Sequence, residues 1–308
     1  MALNLVLGAN GFIGGWVAEA VRASHSELAG AGLGAEPAGF GGPWFDLDLL
    51  TGDVADVARR LRELAPSVIV NCAGATAGSS AELMRVNAVA TGRLLEAIER
   101  SELAVRLIHI GSGAEYGRAE KEVPVAESVC PRPLSPYGIA KLAATQLVLA
   151  AAGRGSVDGI VLRVFNAVGP GMATGTLPGS AIAKLLEATR EGRRQIEMGP
   201  LGAVRDFVDV RDIGTAVVGA ADAAALDARL VNVGSGEGHT ARDLVSGLAG
   251  RLGFRGSLAE QAAGSPRSID VPWQVADISL AALTLGWRPA HDLDSSLDSM
   301  AEAGRAGR

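Results

Sequence analysis

Gly8-Ala9-Asn10-Gly11-Phe12-Ile13-Gly14 follows an apolar run, Leu3 to Leu7, and opens a stretch of helical character, Phe12 to Ser24. Its glycines permit a tight turn and let the backbone come close to a pyrophosphate at a helix N-terminus. Three glycines alone are a weak signal. Between a first strand and a first helix they stand in the context that dinucleotide binding requires. The same alternation continues downstream: Val68 to Asn71 precedes Ala81 to Arg100, and Val105 to Ile110 and Gly159 to Phe165 read as further strands. This pattern predicts an α/β protein whose parallel sheet is doubly wound by helices on both faces.

An acidic anchor for an adenosine ribose is expected about eighteen residues past Gly14. Gly32 to Gly34 stand there instead, with Glu36 beyond and no arginine placed for a 2′-phosphate. NAD and NADP therefore both remain open as the cofactor. Asp46-Leu47, at the end of the next predicted strand, suits contact with adenine, with a solvated loop aspartate as the alternative.

Tyr137-Gly-Ile-Ala-Lys141 places one of two tyrosines four residues before one of three lysines, in a chain whose positive charge is otherwise carried by arginine. A free phenol titrates near pH ~10, too high for proton transfer at neutral pH unless a neighbouring cation favours the phenolate. Residues four apart share a helix face, so Lys141 is placed to do that. Ser135 suits a helix cap, Pro136 its first turn, and Gly138 to Ala152 runs apolar and alanine-rich to Gly153. The alternative for the pentad taken alone is a surface tyrosine beside a solvated lysine.

At 308 residues, 48% hydrophobic and 20% charged, the chain is able to bury a large core as one domain or two merged ones. A net charge of -6 and a pI near 5.4 argue against nucleic acid or an anionic membrane surface, which require a basic footprint. Cys72 and Cys130 are too few for a disulfide framework and lack metal-ligand neighbours, so free thiols and no metal are expected. The run from Met1 to Leu7 reads as a buried strand rather than a signal peptide, and no segment approaches the ~18 apolar residues of a membrane span, so a cytoplasmic location is expected. No internal repeat or long linker is evident; Gly30 to Gly42 is merely glycine-rich.

Gly8 to Gly14, Tyr137 to Lys141 and Gly111-Ser112-Gly113-Ala114-Glu115-Tyr116-Gly117 together resemble the extended short-chain dehydrogenase/reductases that act on nucleotide sugars. The resemblance runs through Asn71-Cys72-Ala73-Gly74, Val86-Asn87, Arg163 to Asn166, Gly169-Pro170-Gly171, Val204 to Asp212, Asn232 to Gly236 and Leu285 to Pro289. Within that superfamily, Ile110 to Gly117, Arg132 to Gly138, Ala203 to Phe207 and Arg267 to Pro272 look most like GDP-4-keto-6-deoxy-mannose reductases and related nucleotide-sugar 4-ketoreductases. The resemblance implies a Rossmann-type sheet with a smaller C-terminal substrate-binding lobe. It also implies that Ser112 hydrogen-bonds the C4 oxygen, that Tyr137 is the acid/base, and that Lys141 tunes the phenol and holds the nicotinamide ribose. Asn87 would position the lysine and a relay water. Gly8, Asn10, Gly11, Phe12, Ile13 and Gly14 would contact the dinucleotide, together with Asp46, Leu47, Cys72, Ala73, Gly74, Asn87 and Val164. Asn166, Arg205 and Arg267 would grip the diphosphate of the substrate, as guanidinium groups do. For Arg205 the alternative is a salt bridge with Asp206 or Asp209. Tyr116 is expected to pack beside the site without moving protons.

A 4,6-dehydratase of this superfamily carries Asp-Glu directly after its catalytic hydroxyl residue, whereas this chain has Gly113-Ala114, which cannot move a proton. The expected reaction is thus NAD(P)H-dependent reduction of the C4 keto group of a GDP- or dTDP-linked 4-keto-6-deoxyhexose. A 4-epimerase with tightly bound NAD is the alternative, and a non-catalytic dinucleotide-sensing scaffold a remote one. The expected division is 1–165 plus about 205–235 for the dinucleotide and about 166–204 plus 236–308 for the sugar nucleotide, with the site in the cleft between. Helices Ala81 to Arg100 and Ser135 to Ala152 are apolar on more than one face, which suits a homodimer interface or burial inside the monomer.

Overall fold

The computed structural model describes residues 2–262 and 271–306. Arg267 and most of the Arg267–Pro272 motif lie outside them. The Leu3–Leu7 run is a strand, β1, and Phe12–Ala23 is helix α1. There follow β2 (Glu27–Gly32), β3 (Trp44–Asp46), α2 (Val54–Leu64) and β4 (Val68–Asn71). The next helical stretch is continuous but not uniform: α3 (Ser80–Leu83) passes through a π-helical segment, Met84–Val89, into α4 (Ala90–Ser101). After β5 (Arg106–Ser112) come a 3-10 turn at Gly113–Glu115, α5 (Pro136–Gly153), β6 (Asp158–Val164) and β7 (Asn166–Val168).

The remaining elements are α6 (Leu177–Glu191), β8 (Gln195–Glu197), β9 (Val204–Arg205), β10 (Phe207–Asp209), α7 (Val210–Asp222) and β11 (Leu230–Val233). They end with β12 (His239–Thr240), α8 (Ala241–Arg251), β13 (Ser257–Ala259), β14 (Trp273–Gln274), α9 (Ser279–Leu285) and α10 (Leu293–Ala306).

The main sheet has seven parallel strands in the order β11-β6-β5-β4-β1-β2-β3. Its central strands are nearly continuous apolar runs because both faces are covered. On one face Val17 and Val21 of α1 pack with Ile213 and Val217 of α7. On the other Leu61 of α2 meets Leu94 and Ile98 of α4 and Val148 of α5. A separate core forms where α6, α8 and α10 bring together Leu185, Leu244, Leu248 and Met300. The order reverses between β1 and β4, and in parallel sheets ligands settle at the carboxyl ends of strands at such a switch point. Among the described residues no helix is long and apolar enough to cross a membrane, and no cluster of metal-ligating side chains occurs.

Candidate active site

The turn after β1 is made by absence of side chains. Gly8 has φ +73°, and a Cβ there would come within 2.8 Å of Ala73 N, in the loop after β4. A Cβ on Gly14 would lie 2.1 Å from Gly8 O. Only glycine fits either place. Asn10 folds over the end of β2, donating from Nδ2 to Leu33 O at 3.0 Å. Asp46 accepts from Gly34 N at 2.9 Å and so shapes that loop, while the adjacent Leu47 N donates to Gly32 O.

The N-cap of α1 is Gly11, which offers no side-chain acceptor, and the first turn carries no acidic residue. In α2, α5, α6, α7 and α8 an aspartate, serine or threonine fills that role. The first N–H groups of α1 are thus left facing the switch point, a fit for a dinucleotide pyrophosphate. On the opposite wall Cys72 N is bonded to Leu7 O, and Asn71 Oδ1 accepts from Ala73 N at 3.2 Å, fixing the Cys72-Ala73-Gly74 loop. The half-buried Cys72 thiol is pushed up to about 12 by desolvation.

Asn87 sits in the π-helical segment, a distortion that recurs at functional sites. Its Nδ2 donates to Ala75 O and Leu83 O, both at 2.9 Å. Its buried Oδ1 has no described partner and lies where a Cβ on Gly74 would stand 2.8 Å away. That orphaned acceptor beside a bare loop fits a bound ligand group.

Ser112 ends β5, paired in register with Val164 at the end of β6. The serine Oγ accepts from Ala114 N at 3.2 Å, and its hydroxyl keeps a hydrogen to donate. Ser135 caps α5 by accepting from Gly138 N, and Pro136 occupies its first turn, so the helix begins just where Tyr137 is presented. Lys141, one turn on, is buried and donates from Nζ to Ile110 O, next to the serine strand's end. Burial pushes the Lys141 ammonium below its ordinary range, while the charge of Glu115 and then Cys72 pull the other way. The described bonds of Asn87 do not include Lys141; the lysine is held by β5.

Tyr116 is buried, with its hydroxyl donating to Asn232 Oδ1 at 2.8 Å and Arg163 stacked 4.3 Å from its ring centre. Burial drives its pKa up. Its ring packs against Arg163 and Phe165. Arg205 on β9 is buried, donates to its own neighbour Val204 O, and meets no carboxylate among the described residues. The two candidate partners are engaged elsewhere: Asp206 accepts from Ser235, Gly236 and Ala276, and Asp209 from Arg211 and Ser296. Asn166 donates from Nδ2 to Asp206 O at 3.0 Å.

Sequence reasoning passed over two residues that frame this site. Glu115 accepts from Ser112 N and pairs with Arg163, and the Ser112-x-x-Glu115 spacing of a capping box was there to be read. Gln274, opposite Arg205 on β14, donates to Gly113 O at 2.9 Å and Gly117 O at 3.2 Å. No motif pointed to it.

A dinucleotide turn, a hydroxyl at a strand end and a Tyr–Lys pair one helical turn apart define an NAD(P)-dependent oxidoreductase or epimerase. The chain belongs to the NAD dependent epimerase/dehydratase family, whose model matches residues 4–234, and so to the extended short-chain dehydrogenase/reductases. It is 36% identical over 94% of its length, and 91% of the relative's, to a dTDP-6-deoxy-L-talose 4-dehydrogenase (NAD(P)(+)) from Kitasatospora kifunensis. It is 31% identical to a GDP-6-deoxy-D-mannose reductase from Pseudomonas aeruginosa, over 60% of this chain and 62% of that one. Among solved structures, MoeE5 in complex with UDP-glucuronic acid and NAD superposes with a TM-score of 0.85 at 30% identity, covering 99% of both chains. The UDP-glucose 4-epimerase of Thermotoga maritima shares the fold, with a TM-score of 0.87 at 23% identity over 99% of both chains. The cofactor is NAD or NADP.

Proposed function

We propose that this protein is a nucleotide-sugar oxidoreductase that interconverts the C4 alcohol and C4 ketone of a dTDP- or GDP-linked 6-deoxyhexose, in the physiological direction as a 4-ketoreductase. The observation that carries the reading is the turn after Ser112. Gly113 lies under Phe165, 3.2 Å from where a Cβ would be, and Ala114 follows, so neither position directly after the serine carries an acid or base, and the nearby Glu115 carboxylate is committed to Ser112 N, Thr145 and Arg163. A site with one proton-transfer group fits redox chemistry at C4 and not dehydration. The likeness to the talose dehydrogenase over nearly the whole chain supports the dTDP series.

The Gly8–Gly14 turn, the N-terminus of α1, the Cys72–Gly74 loop and Lys141 would hold the dinucleotide, which when bound supplies or accepts the hydride. Ser112 donates its free hydroxyl hydrogen to the C4 oxygen, and Tyr137 gives that oxygen its proton in reduction or takes it in oxidation. Lys141, as an ammonium, favours the phenolate. Arg205 and Asn166, with Arg267 added from the sequence pattern, would bind the diphosphate at the mouth of the cleft between the sheet and the lobe of α6, α8 and α10. Removing a buried arginine from water is costly unless an anion meets it.

Incubation with dTDP-6-deoxy-L-talose and NAD+ or NADP+ should produce stoichiometric reduced nicotinamide. Absence of turnover there and with GDP-6-deoxy-D-mannose, alongside interconversion of UDP-hexoses without added cofactor, would make the protein an epimerase. Homodimerisation through the π-helical segment that leads into α4 and through α5 is part of the same reading, supported by Val89, Ile139 and Leu147, which stay 49%, 49% and 42% exposed. Leu147→Glu should then convert a dimer to a monomer in sedimentation; a wild-type monomer would refute the interface.

A further inference from the structure

Glu115 is the charged side chain of the catalytic turn, and the chemistry above does not use it. It is fully buried and paired with the equally buried Arg163 at 2.8 Å. Desolvating two charges costs several kcal/mol per ion, and well-packed apolar residues often serve stability as well or better, so stability alone gives no reason for the pair. Its position gives one. Oε1 of Glu115 accepts from Ser112 N at 2.7 Å and from Thr145 Oγ1 at 3.0 Å, while Oε2 takes Arg163 Nε at 2.8 Å. Thr145 follows Lys141 by one helical turn on α5. One carboxylate therefore spans the end of β5 that carries the serine, the helix that carries Tyr137 and Lys141, and β6.

We propose that Glu115 is a positioning residue: it clamps the Ser112 turn against α5 and sets a fixed negative charge beside Lys141, so that the lysine stays cationic in a buried site. The other titratable groups facing Lys141 carry no such charge. Burial keeps the His109 imidazole neutral, and the Cys72 thiol is pushed up to about 12. Arg163 lies on the far oxygen of the carboxylate. Burial drives Lys141 towards its neutral form, and Glu115 is the foremost influence opposing it. The inference rests on the reading of Tyr137 and Lys141 as the proton-transfer pair.

The chain has two tyrosines, Tyr116 and Tyr137, so near-ultraviolet difference absorbance during an alkaline titration resolves both. Tyr116 is raised by burial, and Tyr137→Phe assigns the first phenolate to appear, which that substitution should remove. Glu115→Gln keeps one acceptor oxygen for Ser112 N and Thr145 but loses the acceptor facing Arg163 and the charge, and should move that first titration up by about one pH unit. Since it strands Arg163, the companion is Glu115→Gln with Arg163→Met, which removes both charges; the same upward shift is expected. With dTDP-6-deoxy-L-talose and NADP+, the pH of half-maximal kcat should move in step, with KM changing less than kcat. An unmoved first phenolate in the folded double variant overturns the role of Glu115 while leaving the Tyr137–Lys141 pair standing. Failure of both variants to fold would make the ion pair structural and overturns it equally. A wild-type protein with no phenolate appearing before Tyr116 overturns the pair itself, and this inference with it.

Discussion

The turn after β1 and the turn after β5 lie on the same edge of one parallel sheet, yet they are built in opposite ways. Between β1 and α1 side chains are excluded: Gly8 and Gly14 leave no room for a Cβ, and Gly11 leaves the first N–H groups of α1 uncapped. After β5 the backbone is capped twice over, with Ser112 and Glu115 exchanging bonds and Arg163, Thr145 and Gln274 holding the turn from three other elements. The first turn keeps donors free for a ligand that arrives with its own charge. The second fixes a hydroxyl whose direction decides whether a reacting oxygen is met, and misplacement by about an ångström at such a point is costly in rate.

Substitutions that sort the two turns by what they lose should break or sharpen this contrast. Tyr137→Phe, on the catalytic side, should lower turnover by about 10^3-fold while dinucleotide affinity, measured by calorimetry, stays near that of the wild type. Full activity in that variant would sink the proton-transfer role.

Gly14→Ala, on the binding side, drives a methyl into Gly8 O and should cost about 1–3 kcal/mol of stability together with most dinucleotide binding. Binding that survives unchanged would mean that the turn is not the pyrophosphate seat.

Arg205→Met should raise the KM for the sugar nucleotide by about ten- to a hundredfold, from the loss of a charge-assisted contact of about 1.5–3 kcal/mol. Its melting temperature should not fall, since a buried guanidinium without a described carboxylate leaves. A large loss of stability would assign it a structural partner instead.

The smallest effect concerns pH. Folding lowers the pKa of Lys141 through burial, so between that lowered value and the ordinary 10.5 the unfolded chain binds more protons than the folded one. Stability from this group is therefore present above 10.5 and is lost as pH falls through the folded value. Lys141→Met should flatten that slope, which is at most about 1.4 kcal/mol per pH unit. An unchanged slope in urea titrations at several pH values would show that the lysine is not desolvated.

Much of this was legible in the chain because it depends on local pattern. Leu3–Leu7, Val68–Asn71 and the Gly8–Gly14 turn are short-range features, and the structure places each where its residues predicted. The cap by Ser135 and the first turn at Pro136 likewise follow from chemistry within four residues. The alternation of strands and helices predicts a helical stretch over Ala81 to Arg100. It is helical throughout, but Met84–Val89 widens to a π turn around Asn87, whose amide reaches back to Ala75 and Leu83. No propensity marks that spacing.

What the chain states directly is periodicity and the placement of scarce residue types: a parallel sheet, a dinucleotide turn, and a tyrosine and lysine on one helix face. What had to wait for the fold is which charges become neighbours. Arg163 follows Glu115 by 48 positions and Gln274 follows Gly113 by 161, so their meeting depends on strand order and not on local sequence. Whether Arg205 would spend its charge on Asp206 or Asp209 was equally undecidable beforehand. Adjacent residues on a strand point to opposite faces, and only the fold brings Asp206 to the loop after β11 and to Ala276, and Asp209 to Ser296 of α10.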